Sequence, residues 1–269
     1  MGKNKLKKFA DMETFRCVLQ YPRHLIPESG FPLQGNWNRD FFLSPAPLVL
    51  ELGCGKGEYT VGLALRHPDR NFIGLDIKGA RMWTGAKTVE EQNIPNAAFL
   101  RTEIELIDRF FAPGEVSEIW ITFPDPQMQK SRKRLTSTRF LDLYRKIMGP
   151  EGVVHLKTDS PFLYEYTRRL VTENNLEVLR DTDDLYSSGL AATGNSGLAD
   201  PESSGFVNPE TSIKTYYEQQ WLSRGKKIKL ISFRLGSQPL AEPREDDIER
   251  DDYRAYPRHD GRLKEAPRQ

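Results

Sequence analysis

The chain has 269 residues, enough for one large domain, and its formal charge is +1, from 39 Lys and Arg against 38 Asp and Glu. A balanced sum neither supports nor excludes a nucleic-acid partner, because phosphate recognition depends on a local basic patch. Cys17 and Cys54 give no disulfide framework and fit a reducing, cytoplasmic setting, the N-terminus lacks the apolar stretch of a signal peptide, and no run approaches the roughly 18 apolar residues that span a membrane.

Residues 1–10 carry Lys3, Lys5, Lys7 and Lys8 with no acid and read as a mobile basic arm. Residues 11–46 read as an irregular lead-in, broken by Pro22, Pro27, Pro32, Pro45 and Pro47. Regular order is expected from Leu48-Val-Leu-Glu-Leu52, a short apolar run ending in glycines, which reads as a buried strand. A helix follows over Tyr59–Arg66, then a strand over Asn71–Asp76 and a helix over Lys78–Gln92. Ala97–Arg101 reads as a strand and Ile104–Phe111 as a helix ended before Pro113-Gly114. Ser117–Phe123 is a further strand, Thr138–Met148 a helix, Gly152–Thr158 a strand and Phe162–Asn174 a helix. This alternation predicts an α/β fold with a parallel sheet and right-handed crossovers.

The pattern fades after Arg180. Ser187–Ser204, rich in Ser, Gly, Ala and Asn, predicts a flexible loop. Order is expected again over Thr211–Leu222, with a last strand over Lys227–Leu235. Residues 242–269 hold nine acids and seven bases with few apolar side chains, which predicts a disordered tail. The boundaries are therefore 1–44 for the arm and lead-in, 45–240 for the main domain and 241–269 for the tail.

The first strand runs into Glu51-Leu-Gly-Cys-Gly-Lys-Gly57. Glycines let backbone approach a ligand and take up positive φ, and such a turn sits at the carboxyl end of the sheet, where α/β proteins bind cofactors. The spacing Gly53-x-Gly55-x-Gly57 lacks the third glycine of a dinucleotide fingerprint, since Glu58 stands there, and Lys56 is followed by Gly57 rather than by the Ser or Thr of a phosphate loop. Asp76, ending the second strand, suits both hydroxyls of an adenosine ribose. Glu51 suits an ammonium group by charge. Two carboxylates here favour the cationic S-adenosylmethionine and disfavour a pyrophosphate.

Phe123-Pro-Asp-Pro126 ends a later strand on the same edge, where an acceptor must lie. Two prolines restrict the loop and fix Asp125. Lys130-Ser-Arg-Lys-Arg134 then places Lys130, Arg132, Lys133 and Arg134 beside that pocket, with Arg139 close behind, as a phosphate-backbone contact. The N-terminal lysines extend that contact. Asp159 ends another strand on the same edge and reads either as an acceptor contact or as the cap of the helix after it. The histidines and cysteines lack metal-ligand spacing, so no metal is expected.

Leu50–Glu58, Gly-Leu-Asp-Ile-Lys (74–78), Phe-Pro-Asp-Pro (123–126), Leu-Lys-Thr-Asp (156–159) and Thr-Tyr-Tyr-Glu (215–218) occur in this order in one family. Over roughly residues 45–235 the chain resembles the bacterial tRNA (guanine-N7-)-methyltransferases. The resemblance implies a class I methyltransferase, Rossmann-like fold with a mostly parallel seven-stranded sheet. It implies transfer of a methyl group from S-adenosylmethionine to N7 of a guanosine in the tRNA variable loop. It assigns cofactor contacts to Glu51, the turn of Gly53, Gly55 and Gly57, Asp76, Glu103 and Asp125, and an active-site role to Asp125. Asp159, Thr215, Tyr216, Tyr217 and Glu218 fall on positions that contact tRNA. The family's Trp after Phe-Pro-Asp-Pro is replaced by Gln127, its substrate lysine falls at Lys130 or at Gln129, and Glu103 stands where Asp or Asn is usual.

The partner implied is tRNA, without metal or membrane, and the protein is a monomer or a homodimer. Two rival functions remain. One is a methyltransferase acting on another RNA, DNA or protein nitrogen, although Asp125-Pro-Gln-Met128 lacks the Asn/Asp-Pro-Pro-Tyr of such enzymes. The other is a non-catalytic RNA-binding module, which the intact Glu51, glycines and Asp76 disfavour.

Overall fold

The computed structural model describes residues 3–187 and 213–252. Apart from Ser187, the loop expected over 187–204 lies outside the described residues, as do positions 211–212 and the last part of the tail. One eight-stranded sheet organises the chain: β1 (Val18–Gln20), β2 (Leu48–Leu52), β3 (Asn71–Leu75), β4 (Ala97–Arg101), β5 (Val116–Thr122), β6 (Met148–Thr158), β7 (Val178–Thr182) and β8 (Lys229–Arg234). The spatial order is β1-β4-β3-β2-β5-β6-β8-β7. All neighbours run parallel except β8, which is antiparallel to both β6 and β7.

Helices α2 (Glu58–Arg66), α3 (Gly79–Gln92), α4 (Thr138–Arg145) and α5 (Pro161–Glu173) fill the crossovers, and α6 (Tyr216–Ser223) precedes β8. The faces of β2 show why both sides are covered. Leu48, Leu50 and Leu52 join one apolar cluster with Ile119, Ile121, Tyr144 and Leu170, while Val49 joins a second with Tyr59, Leu63, Met82 and Ala86. Strands buried on both faces read as continuous apolar runs, as β2 does. After β4 the chain crosses back to pair β5 with β2. That reversal makes the carboxyl ends of β2 and β5 the switch point, the place where open α/β sheets bind ligands.

The expected α/β architecture holds, but the sheet has eight strands rather than seven. Two strands have no counterpart among those read from the sequence: β1, which lies in the lead-in read as irregular and pairs with β4, and β7, which pairs with β8. The basic N-terminus is helical: α1 (Lys3–Thr14) packs on α3, with Phe9 and Met12 against Gly79, where a Cβ would lie 2.8 Å from Phe9. The rest of the lead-in enters the core through Phe31, Trp37 and Phe42, and Trp37 stacks on Phe111 at 5.6 Å. Residues 241–252, expected to be disordered, also lie against the body. Pro243 and Ile248 are buried, and Ala241 and Asn174 exchange two hydrogen bonds. Composition misled there because the acids are held by specific partners rather than by water.

Candidate active site

The turn after β2 has all three glycines in the left-handed region, at φ +75°, +56° and +72° for Gly53, Gly55 and Gly57. Space forces the choice at Gly57, where a Cβ would come 2.5 Å from the Phe99 ring. A side chain there would push α2 off β4. The Gly53 and Cys54 amides both donate to the Leu75 carbonyl (2.8 and 3.1 Å), which fastens the turn to the end of β3. Asp76 completes that junction: its carboxylate accepts from the Gly55 amide (3.0 Å) and the Lys78 amide (2.8 Å). Asp76 therefore shapes the glycine turn from the carboxyl end of β3.

Glu51 is buried beneath the turn. It accepts from the Thr60 amide (2.9 Å) and hydroxyl, and from the Thr122 hydroxyl (2.7 Å). Burial pushes its pKa up to about 7, hydrogen bonds from Thr60 and Thr122 offset part of that rise, and the Asp76 charge adds to it. Thr60 and Thr122 were not legible as site residues, because nothing in the sequence pairs them with Glu51. A strongly shifted carboxylate is not by itself a site marker. Burial also pushes Glu118 up, but hydrogen bonding and charge from His155 and Arg70 outweigh it and bring its pKa down to about 2. Glu118 lies near the opposite end of β5.

Beyond β5 the backbone takes an uncommon course. Phe123 and Gln127 both have φ +49°, which costs a side chain of this kind about 1–3 kcal/mol unless the surroundings hold it there. The Phe123 amide donates to the Lys157 carbonyl (2.8 Å), and the Gln127 amide donates to Asp125 Oδ1 (3.0 Å). Asp125 is exposed on this turn. Lys130, Arg132 and Lys133 are exposed as expected of a phosphate contact, and so is Gln129.

Arg134 departs from the expectation. Its side chain is 0% exposed, so it is not part of the basic surface. Its Nε and Nη2 donate to the Pro126 and Gln127 carbonyls (3.1 and 3.3 Å), its guanidinium lies 3.9 Å from the Tyr166 ring centre, and Glu245 pairs with it at 2.6 Å. A charge run in sequence cannot show which member turns inward.

Asp159 is buried, 3.3 Å from Lys226, and burial holds its carboxyl above the usual carboxylate range although Lys226 opposes this. It does not cap α5, because Ser160 does, accepting from the Leu163 amide (2.9 Å). Thr215 and Glu218, carried over as tRNA contacts, are also buried. Thr215 caps α6 by accepting from the Glu218 amide (3.2 Å), and Glu218 forms a fully buried ion pair with Lys157 at 2.8 Å. Both side chains are engaged by partners inside the protein. Tyr216 and Tyr217 remain exposed, and Lys56 of the glycine turn sits 3.9 Å above the Tyr216 ring. Glu103 lies beyond β4, with its carboxylate accepting from the Arg23 amide (3.1 Å).

The carboxyl edge thus brings together the glycine turn, Glu51, Asp76, Asp125, the exposed bases at 130–133 and the two tyrosines of α6. Among the described residues no cluster of three or more His, Cys, Asp or Glu is placed to hold a metal ion, and no helix is long and apolar enough to cross a membrane.

Residues 45–231 match a family model described as "Putative methyltransferase". The chain is 58% identical over 251 residues to a tRNA (guanine-N(7)-)-methyltransferase of Porphyromonas gingivalis, covering 92% of this chain and 96% of the relative. It is 52% identical over 258 residues to the protein of that name in Bacteroides thetaiotaomicron, covering 96% of each. Among solved structures, an antibiotic-related methyltransferase superposes with a TM-score of 0.52 over 76% of this chain and 94% of that one. At 14% identity this likeness concerns the fold alone.

Proposed function

The chain belongs to the tRNA (guanine-N(7)-)-methyltransferase family, and from that premise we propose how its carboxyl edge methylates N7 of a guanosine in the variable loop of tRNA, in the cytoplasm, with S-adenosylmethionine as donor. The observation that carries the reading is the pairing of a two-carboxylate glycine turn with an exposed, conformationally fixed Asp125 on the adjoining strand end. Burial is the main cause of the upward shift of Glu51, and the Asp76 charge adds a smaller repulsive contribution to it. A cationic ligand relieves that repulsion and a pyrophosphate aggravates it, so the donor set fits S-adenosylmethionine. When bound, that cofactor supplies a methyl group on a sulfonium.

The chain's own residues then have limited work to do. Guanine N7 carries a lone pair and no proton, so no general base is required there. Catalysis falls to positioning and electrostatics. Asp125 accepts hydrogen bonds from the guanine N1–H and exocyclic amine and stabilises the positive charge that develops on the ring. Lys130, Arg132 and Lys133 contact the phosphate backbone next to it, and Tyr216 and Tyr217 offer aromatic faces to the RNA.

The test is to incubate the protein with unmodified tRNA and labelled S-adenosylmethionine, then to cleave the chain at 7-methylguanosine. Label coinciding with a cleavage site in the variable loop is the expected result. Label without such cleavage would assign the methyl group to another nitrogen, and no label would leave a binding module. Asp125→Ala should remove methyl transfer while cofactor binding falls much less; near-normal turnover by this variant would take Asp125 out of the reaction.

A further inference from the structure

Residues 242–251 lie beyond the end of the matched family span at residue 231, yet three of their carboxylates end on the supports of the acceptor side. Glu242 reaches the start of α4, accepting from the Thr138 amide (3.2 Å) and hydroxyl (2.5 Å) and from the Tyr166 hydroxyl. Asp251 reaches the start of α5, accepting from the Ser160 hydroxyl and the Phe162 amide (2.9 Å). Between them Glu245 pairs with buried Arg134, whose other nitrogens hold the Pro126 and Gln127 carbonyls. Pro243 and Ile248 are buried, Ile248 within the main apolar cluster, so the carboxylates are placed rather than trailing.

We propose that this segment is a strap that positions the acceptor loop, and that Glu245 is its operative residue, acting through Arg134 on the turn that carries Asp125. Without Glu245 the Arg134 charge is buried with only carbonyl and aromatic partners, and it must move toward water. Its departure releases the Pro126 and Gln127 carbonyls. Gln127 then leaves the left-handed conformation in which its amide holds Asp125. The cofactor turn, fastened instead to Leu75 and Asp76, is not on this path. Glu245 is thus a positioning residue, and its loss should separate turnover from cofactor affinity.

This inference rests on the methyl-transfer reading above. Glu245→Gln keeps the shape and removes the charge. It should lower kcat/KM for tRNA by about tenfold to a hundredfold, the scale at which small misplacements act, while the dissociation constant for S-adenosylhomocysteine stays within about twofold. Glu245→Asp should recover part of the loss. Asp247→Asn, which removes a surface pair with Arg169 on the same strap, is the control and should behave as wild type. Amide exchange supplies a readout that needs no catalysis: Glu245→Gln should speed exchange at 127–134 and leave 53–57 unchanged. Loss of cofactor affinity in step with turnover, a variant no worse than Asp247→Asn, or unchanged exchange at 127–134 would each overturn the strap. A wild-type chain that fails to methylate tRNA would instead overturn the reaction, and the exchange measurement would still decide the strap.

Discussion

Glu51 illustrates what one residue contributes and how it can be measured. Its pKa is about 7 in the fold against an ordinary 4.5, with burial as the main cause. Between those values the folded chain keeps a proton that the unfolded chain has lost. The stabilising contribution of Glu51 is therefore fully present at and below the ordinary range and is lost as the pH rises through this window. A bound cation acts the other way, because it favours the ionised carboxylate. Affinity for S-adenosylmethionine should rise from about pH 6 to about pH 8, with proton release on binding at the lower end. Calorimetric titration in two buffers of different ionisation heat reads that release directly. Glu51→Gln should lose the pH dependence; the same dependence in that variant would mean that Glu51 is not the titrating group. The sequence identified Glu51 as a candidate from its place before the glycines. It could not show the threonine cradle that shifts it.

At the scale of elements, the segment from 130 to 134 divides into an outer face and an anchor. Lys130, Arg132 and Lys133 are exposed, and Arg134 is the anchor. Replacing the three exposed bases with Ala should lower the salt slope of tRNA binding by about two to three, close to one for each phosphate no longer neutralised. Filter binding across a salt series measures it, and an unchanged slope would remove the segment from the interface. The long buried strands and the helices between them were legible because their apolar runs and glycine stops are local. Strand β1 has only three residues and β7 is mostly exposed, so neither shows an apolar run. Helix α1 was hidden by its lysines, and only the packing of Phe9 and Met12 on Gly79 reveals its apolar side. On α6 the capping spacing of Thr215 and Glu218 is visible in sequence, but the Glu218–Lys157 pair joins residues 61 apart and is not. The family motif at 215–218 therefore mixes two buried residues with two exposed tyrosines.

The whole molecule extends past the span that the motifs mark. The matched family residues run from 45 to 231, and sequence reading places the domain at 45–240. In the fold, Phe31, Trp37 and Phe42 fill the space beside Phe110 and Phe111, and the Trp37 ring nitrogen donates to the Phe110 carbonyl (2.9 Å). Burying three such side chains contributes about 1.5–3 kcal/mol each, a large share of the roughly 5–15 kcal/mol that holds a domain folded. Removing the lead-in also strips the short edge strand β1 and makes the longer, apolar β4 the sheet edge. A chain of residues 45–240 should therefore lose its cooperative thermal transition or aggregate. Extending that piece to residue 252 restores the strap but not the missing aromatics, and should not rescue it. A chain of residues 16–252 keeps both and should melt cooperatively. Calorimetry on the three pieces distinguishes these outcomes, and a sharp, full-amplitude transition for 45–240 would show that the motif-bearing span is an independent domain after all.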